Sequence, residues 1–457
     1  MAKSSKSSFV QGVSEYSGKT GIGTELWMVR DMITEIIVEN FKSIKKLDLP
    51  LGQIQTALVG PNGSGKSSVL QAFYVLAQSC LIRHGRMPDY GASRIETRGP
   101  YIDLGPSEDL INHESNGIAT IGVRARVAAP TGFSGAHQVP FDFFLRFSSD
   151  GKWAQEATFD LLGTNVTVSA GPGQESHVST QELPIDELKF GLGPNLSIGT
   201  PISVKIITAP EGTETKAREI QAQLNEVFSS PRRCFERIYP VPSVRAFDRY
   251  EYTFVDRPVD QMVTSEGTTE QARFTASAIA YKKLESRISY WMKSITGLEI
   301  KTAPTPGPKI SVETTGTAPV NIINEGFGTN QLVLLLAQLA SSPPESLIVI
   351  EEPEAHLHPR AQALLIDLLT EVAKTEKKQI IFATHSDHVV FRLLTQVAEG
   401  RLHSPDDIGV YAFQKRDLTT EVSKLKVDDK GRIEGGLHDF FEADVEGFEK
   451  FLGAVGA

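Results

Sequence analysis

Thr56-Ala-Leu-Val-Gly-Pro-Asn-Gly-Ser-Gly-Lys-Ser-Ser68 decides how this chain folds. Residues 57–60 are apolar or small and read as a short buried strand. Residues 60–67 then fit G-x-x-x-x-G-K-[ST], and Ser68-Val69-Leu70 open a helical pattern. Glycines let successive backbone N–H groups turn inward around a phosphate, and the helix that follows aims its positive end at the same anion. The candidate contacts are Asn62, Gly63, Ser64, Gly65, Lys66, Ser67 and Ser68. Lys66 would reach the outer phosphates as a point charge, and the Ser67 hydroxyl would bind Mg²⁺. A Gly/Ser-rich turn could match by chance, but a strand before it and a helix after it are the context that defines a phosphate loop.

Working outward, the 457 residues exceed one average domain, so a core domain with insertions is expected. With 40% hydrophobic and 22% charged residues the composition is that of a soluble globular protein. The longest apolar stretches, such as 332–340, fall well short of the roughly 18 residues that span a bilayer. No charged start followed by an apolar run marks a secretory signal, so a cytoplasmic protein with no membrane partner is expected. Cys80 and Cys234 lack metal or redox spacing and read as packing residues in a reducing compartment. The formal charge of −10 argues against a surface that coats nucleic acid nonspecifically, though a local basic groove remains compatible with it.

Residues 1–31 are rich in Ser, Lys and Gly and read as a mobile tail. Apolar positions from Ile33 to Leu51 predict two short strands ahead of the loop. The helix after the loop is expected over 67–84, with Gly85 as its cap. Runs near 121–127, 141–147 and 158–162 alternate like antiparallel strands with one wet face. Helices are expected at 212–228 and 268–297. Short strands follow, then Asn324-Glu-Gly-Phe-Gly-Thr-Asn-Gln331 and a buried helix at 332–340. Residues 346–350 and 379–383 read as fully buried strands, the run 347–350 apolar throughout, separated by a helix that Pro359 would start. Strands and helices alternating in this way give a parallel α/β sheet with its chemistry at strand C-terminal ends.

The first of those strands runs into Glu351-Glu352-Pro-Glu-Ala-His-Leu-His-Pro359. Side chains alternate along a strand, so the two carboxylates face different ways. Glu351 is assigned to Mg²⁺ through its water shell and Glu352 to the general base that activates water. The apolar run before them argues against a solvated acidic turn. His385, at the end of the next strand, is placed to hydrogen-bond a terminal phosphate. His356 and His358 have no zinc-like spacing. Gly326-Phe-Gly-Thr329 forms a second helix start with close backbone access, redundant within one subunit and meaningful if it caps a phosphate held by another.

Together these residues resemble the ABC-type ATPase superfamily, in its stand-alone RecF-like and OLD-like branch. Residues 60–67 match Walker A and 347–352 match Walker B. Glu39-Asn-Phe-Lys-Ser43 resembles that branch's N-terminal motif, His385 its switch histidine, and 326–331 a signature without the usual Leu-Ser-Gly-Gly-Gln. Glu351 stands where the wider superfamily has Asp. The segment Tyr239-Pro-Val-Pro-Ser-Val-Arg245 also resembles a family segment, with no role assigned.

The resemblance implies a P-loop NTPase with an ABC-type head at 32–90 and 301–457, and an inserted β-rich then helical region at 91–300. It implies ATP and Mg²⁺ bound in composite sites of a homodimer or higher oligomer. Lys42 and Ser43 would approach the nucleotide, and Gly326, Gly328, Thr329 and Asn330 would complete the partner's site. OLD-like nucleases carry a TOPRIM domain after the ATPase, and residues 386–457 are too few for it. The expected function is therefore an ATPase sensor or scaffold with a separately encoded effector in anti-phage defence. A RecF-like repair ATPase that binds DNA is the alternative. A transporter subunit and a non-hydrolysing binding protein fit less well, given the large insertion and the intact Glu352.

Overall fold

The computed structural model describes residues 31–80, 95–129, 138–161, 163–172, 175–255, 268–307, 309–316, 318–403 and 406–434. The expected tail (all but Asp31), the helix end near 84 with its Gly85 cap, and the chain after 434 lie outside those residues.

Strands β1 (Met32–Phe41) and β2 (Ile44–Pro50) pair as an antiparallel hairpin, as their apolar pattern predicts. β3 (Gln55–Val59) enters the phosphate loop and α1 (Lys66–Cys80) leaves it. β4 (Ile118–Ala128), β5 (Gln138–Ser148), β6 (Trp153–Leu161), β7 (Thr164–Ala170) and β8 (His177–Val178) extend the hairpin into a sheet ordered β2-β1-β4-β5-β6-β7-β8. Burial alternates along β5 and β6, so this sheet has one buried and one wetter face. β9 (Glu182–Ile185), β10 (Leu188–Pro194) and β11 (Ile202–Thr208) form a small sheet, followed by α2 (Glu214–Phe228) and α3 (Ser230–Glu236).

β12 (Ile238–Val241) falls inside the 91–300 span yet pairs in parallel with the strand that ends at Glu351. The span is therefore not one inserted unit. Four residues are too short for periodicity to register, and Pro240 is tolerated because β12 is an edge strand. After β13 (Tyr252–Thr253), the single helix expected over 268–297 is two: α4 (Thr268–Tyr281) and α5 (Glu285–Thr296). Lys283 breaks them with a left-handed φ of 54°, which the apolar spacing does not reveal. β14 (Glu299–Thr305), β15 (Lys309–Thr315) and β16 (Val320–Asn321) join β13 in a fourth sheet. The chain then alternates through α6 (Phe327–Ser341), β17 (Leu347–Glu351), α7 (Pro359–Thr375), β18 (Gln379–Thr384) and α8 (Asp387–Ala398) to β19 (Ile408–Arg416) and β20 (Thr419–Lys424).

The central sheet has the order β12-β17-β18-β3-β19-β20, with all pairs parallel except β19–β20. Its two faces pack into different cores. Leu58, Leu347, Val349 and Ile381 join α1 and the large antiparallel sheet. Ala57, Val59, Ile348, Ile350 and Phe382 join the cluster of α4 to α8. Strands buried on both faces are apolar without alternation, the pattern that 347–350 and 380–383 carry. α1 lies between two sheets, with Val69, Leu70, Phe73, Val75 and Leu76 at 0% exposure, so the phosphate loop has a rigid base.

Candidate nucleotide site

Four parallel strands finish at one edge of the central sheet. Val59 is in register with Thr384, Ala383 with Glu351, and Ile350 with Val241. Beyond those ends lie the phosphate loop, Glu351 and Glu352, His385, and residues 242–245. The fold thus gathers four distant segments because these strands run parallel, so all their C-terminal ends lie at the same edge of the sheet.

In the loop, Gly63 and Gly65 take φ of 75° and 103°. A Cβ on Gly65 would sit 2.3 Å from Thr420 Oγ1, so β20 braces the loop directly. Asn62, Gly63 and Ser67 are open to solvent, while Ser64 is buried with its hydroxyl unpartnered among the described residues. Lys66 Nζ donates to the carbonyls of Gly60 at 2.7 Å and Pro61 at 2.8 Å. Burial lowers its pKa, and Glu352 and Glu354 counter that shift. Lys66 and the Walker B carboxylates therefore act on one another across a single site.

Glu351 and Glu352 face different neighbours, as strand alternation requires. Glu352 leaves the strand with a left-handed φ of 45°, and its N–H donates to Ala383 O at 3.0 Å. Its carboxylate lies 3.9 Å from His385 Nδ1 and remains 40% exposed, open to a water. Glu351 is turned inward; burial and then the neighbouring Glu352 push its pKa up to about 7, while Ser243, Arg245 and Lys42 pull it down. A divalent cation would oppose the same rise, so this carboxyl suits a metal position. Glu354 is buried and accepts from Thr384 Oγ1 at 2.6 Å and from His385 N at 3.1 Å.

The β1–β2 turn also arrives here. Lys42 has a left-handed φ of 54° and donates to Gln71 Oε1 of α1 at 2.5 Å. Burial lowers its pKa and Glu351 opposes that. Ser43 Oγ shares a 2.7 Å hydrogen bond with Thr420 Oγ1, and Thr420 N donates to Ser43 O at 2.9 Å. In this arrangement Ser43 acts on the phosphate loop through Thr420.

The glycine turn is elsewhere. α6 begins at Phe327, earlier than the expected 332, with Gly326 as N-cap and no side-chain cap. Gly326, Phe327, Gly328 and Thr329 line a cavity of about 520 Å³ with His356 and Leu357, not with the phosphate loop. Phe327 meets the His356 ring edge-on at 4.8 Å. A Cβ on Gly328 would stand 2.3 Å from His356 O, a backbone atom that cannot swing away. Gly328→Val is thus expected to push this helix start off its neighbouring loop. It should leave ATP binding by a single subunit intact but cut turnover at least about tenfold, as loss of a contact supplied in trans does. Nucleotide titration and steady-state hydrolysis check this.

Asn330 departs from the expectation that it reaches a partner's nucleotide, because its side chain is only 3% exposed. It accepts from Phe247 N at 2.7 Å and donates to Phe247 O at 2.9 Å, tying α6 to the 242–255 segment. Helical spacing turns it inward, away from Thr329. Asn330→Ala should cost about 1–3 kcal/mol for the groups left unpaired, measured by urea unfolding. His358 also serves a local purpose, since its Nδ1 accepts from Arg360 N at 3.3 Å and caps α7.

A phosphate loop on a parallel sheet, with a carboxylate pair and a histidine at neighbouring strand ends, defines a P-loop ATPase. The family described as "AAA domain, putative AbiEii toxin, Type IV TA system" matches residues 177–390, and "RecF/RecN/SMC N terminal domain" matches 32–90. An OLD nuclease of Thermus scotoductus is 24% identical over 435 residues, 90% of this chain and 67% of that protein. The RecF replication and repair protein of Proteus mirabilis is 42% identical over 55 residues, which span 12% of this chain and 14% of RecF. Among solved structures, an SMC head bound to the C-winged helix domain of ScpA aligns at TM-score 0.42 and 16% identity, covering 87% of this chain and 98% of that one. These matches make the chain similar to the ABC-type ATPases of the RecF-like and OLD-like branch. No helix among the described residues is long and apolar enough to cross a membrane.

Three participants in the site have no role that sequence reasoning assigns. Thr420 belongs to the hairpin after the last parallel strand and carries no motif. Glu354 and Arg245 fall within the conspicuous 351–359 and 239–245 segments, but their partners are distant in sequence.

Proposed function

We propose that this chain hydrolyses ATP with Mg²⁺ as a homodimer or higher oligomer, and that the nucleotide cycle drives a sensor or scaffold in anti-phage defence with a separately encoded effector. The observation that carries hydrolysis is the meeting of Lys66, Glu351, Glu352 and His385 at one sheet edge beside an open phosphate loop. Ser67 and Glu351 would hold Mg²⁺, which when bound neutralises charge on the transferred phosphoryl group. Lys66 binds the outer phosphates. Glu352 accepts the proton of the attacking water, and His385 holds the terminal phosphate. Gly326, Gly328 and Thr329 open at a separate cavity, which supports their acting on a second subunit's nucleotide.

The defence reading draws on the toxin–antitoxin description of the matching family and on the OLD nuclease likeness. The matched stretch of RecF favours a second reading, a DNA-binding repair ATPase. Purified protein separates them. Hydrolysis without DNA, and an oligomer that forms with ATP, are expected for the first. Hydrolysis that rises with DNA and falls with salt would favour the second. DNA cleavage by the chain alone would remove the need for a separate effector.

A further inference from the structure

Arg245 is among the largest fully buried side chains, at 1% exposure, and it lies directly beneath the carboxylate pair. Its guanidinium donates to Pro242 O at 2.6 Å, to Glu351 O at 3.1 Å and to Glu352 O at 3.1 Å. One side chain thus grips the two peptide carbonyls that set where both Walker B carboxylates point. A buried guanidinium is costly unless its charge is answered nearby. Here burial lowers its pKa to about 10, and Glu354, then Glu352 and Glu351, oppose that. Arg245 Nε and Glu354 Oε2 are both buried without a hydrogen-bond partner among the described residues. The other oxygen of Glu354 holds Thr384 and the backbone of His385.

From this geometry we infer that Arg245 is a positioning residue for hydrolysis: it clamps the backbone of Glu351 and Glu352, the two residues whose carboxylates face the site. The need for such a clamp is local. Glu352 is in a left-handed conformation unfavourable for a residue with a Cβ, and such a conformation persists only where surroundings over-determine it. A bidentate guanidinium supplies two directional bonds at once, which an ammonium cannot reproduce. Arg245 reaches neither the phosphate loop nor solvent, so it acts on turnover through the carboxylates and not on nucleotide capture.

The clamp's effect on turnover rests on the proposed hydrolysis at the 351–352 strand end, whichever carboxylate there takes the proton. The test uses Arg245→Lys and Arg245→Met in the full chain, with Glu352→Gln alongside. Hydrolysis rates and the affinity for a fluorescent ATP analogue are measured for each. Arg245→Met and Arg245→Lys are expected to lose about 10²-fold in kcat, the scale of a misplaced catalytic group. Their nucleotide affinity should stay within about threefold, the split that marks a transition-state effect. Wild-type kcat in folded Arg245→Met, equal losses in affinity and kcat, or failure of both Arg245 variants to fold would overturn the clamp. Slow Arg245→Met beside a wild-type Glu352→Gln would instead fail the base assignment and leave the clamp standing.

Discussion

Glu352→Gln is expected to bind ATP and Mg²⁺ with nearly unchanged affinity while its turnover falls about 10²- to 10⁴-fold, the contribution of a positioned general base. The amide has the carboxylate's shape, so the left-handed turn at 352 and the hydrogen bond to Ala383 survive. What disappears is the one role the amide cannot fill, acceptance of a proton from water. Because ATP is both substrate and the link between subunits in the proposed dimer, the variant should also hold the oligomer together for longer. Single-turnover hydrolysis and light scattering with ATP check both parts. Wild-type turnover would reassign the base, with Glu354 and Glu351 as the remaining carboxylates at that edge.

Lys66→Ala should act at the other end of the reaction and lose binding together with turnover. Each charge-assisted hydrogen bond is worth about 1.5–3 kcal/mol, so affinity for ATP should weaken about 10- to 100-fold. The fold should tolerate the change. Lys66 Nζ donates to the Gly60 and Pro61 carbonyls within the loop, and the loop keeps its brace from Thr420. Equal melting temperatures without nucleotide, and a smaller ATP-induced rise in the variant, are the expected readings. An unchanged ATP-induced rise would remove Lys66 from the phosphate site. The two variants together distinguish capture from chemistry, since one should lose both and the other only the second.

Much of the site was legible in the residues because it is built from strand ends. An apolar run of four or five residues followed by a fixed motif specifies a buried strand and what emerges from it. That suffices for 60–67, for Glu351 and Glu352, and for His385. The glycine turn was legible as a helix start but not in extent, since Phe327 and Gly328 carry no periodicity of their own. Asn330 misled because a polar residue beside a glycine motif looks like part of it, whereas one further step of helix rotation buries it against Phe247. The 268–297 helix misled for the reverse reason: the apolar positions of α4 and α5 sustain one spacing across a break that only the backbone at Lys283 shows.

By itself the sequence determined a parallel sheet around a phosphate loop, with two carboxylates and a histidine at strand ends, because strand burial and loop geometry are set by neighbouring residues. Only the tertiary structure decided which strands lie side by side, that β12 belongs to that sheet, and that Thr420, Glu354 and Arg245 hold the site in place. Those contacts join positions tens to hundreds of residues apart, and their energy comes from burial and hydrogen bonds that no local pattern encodes.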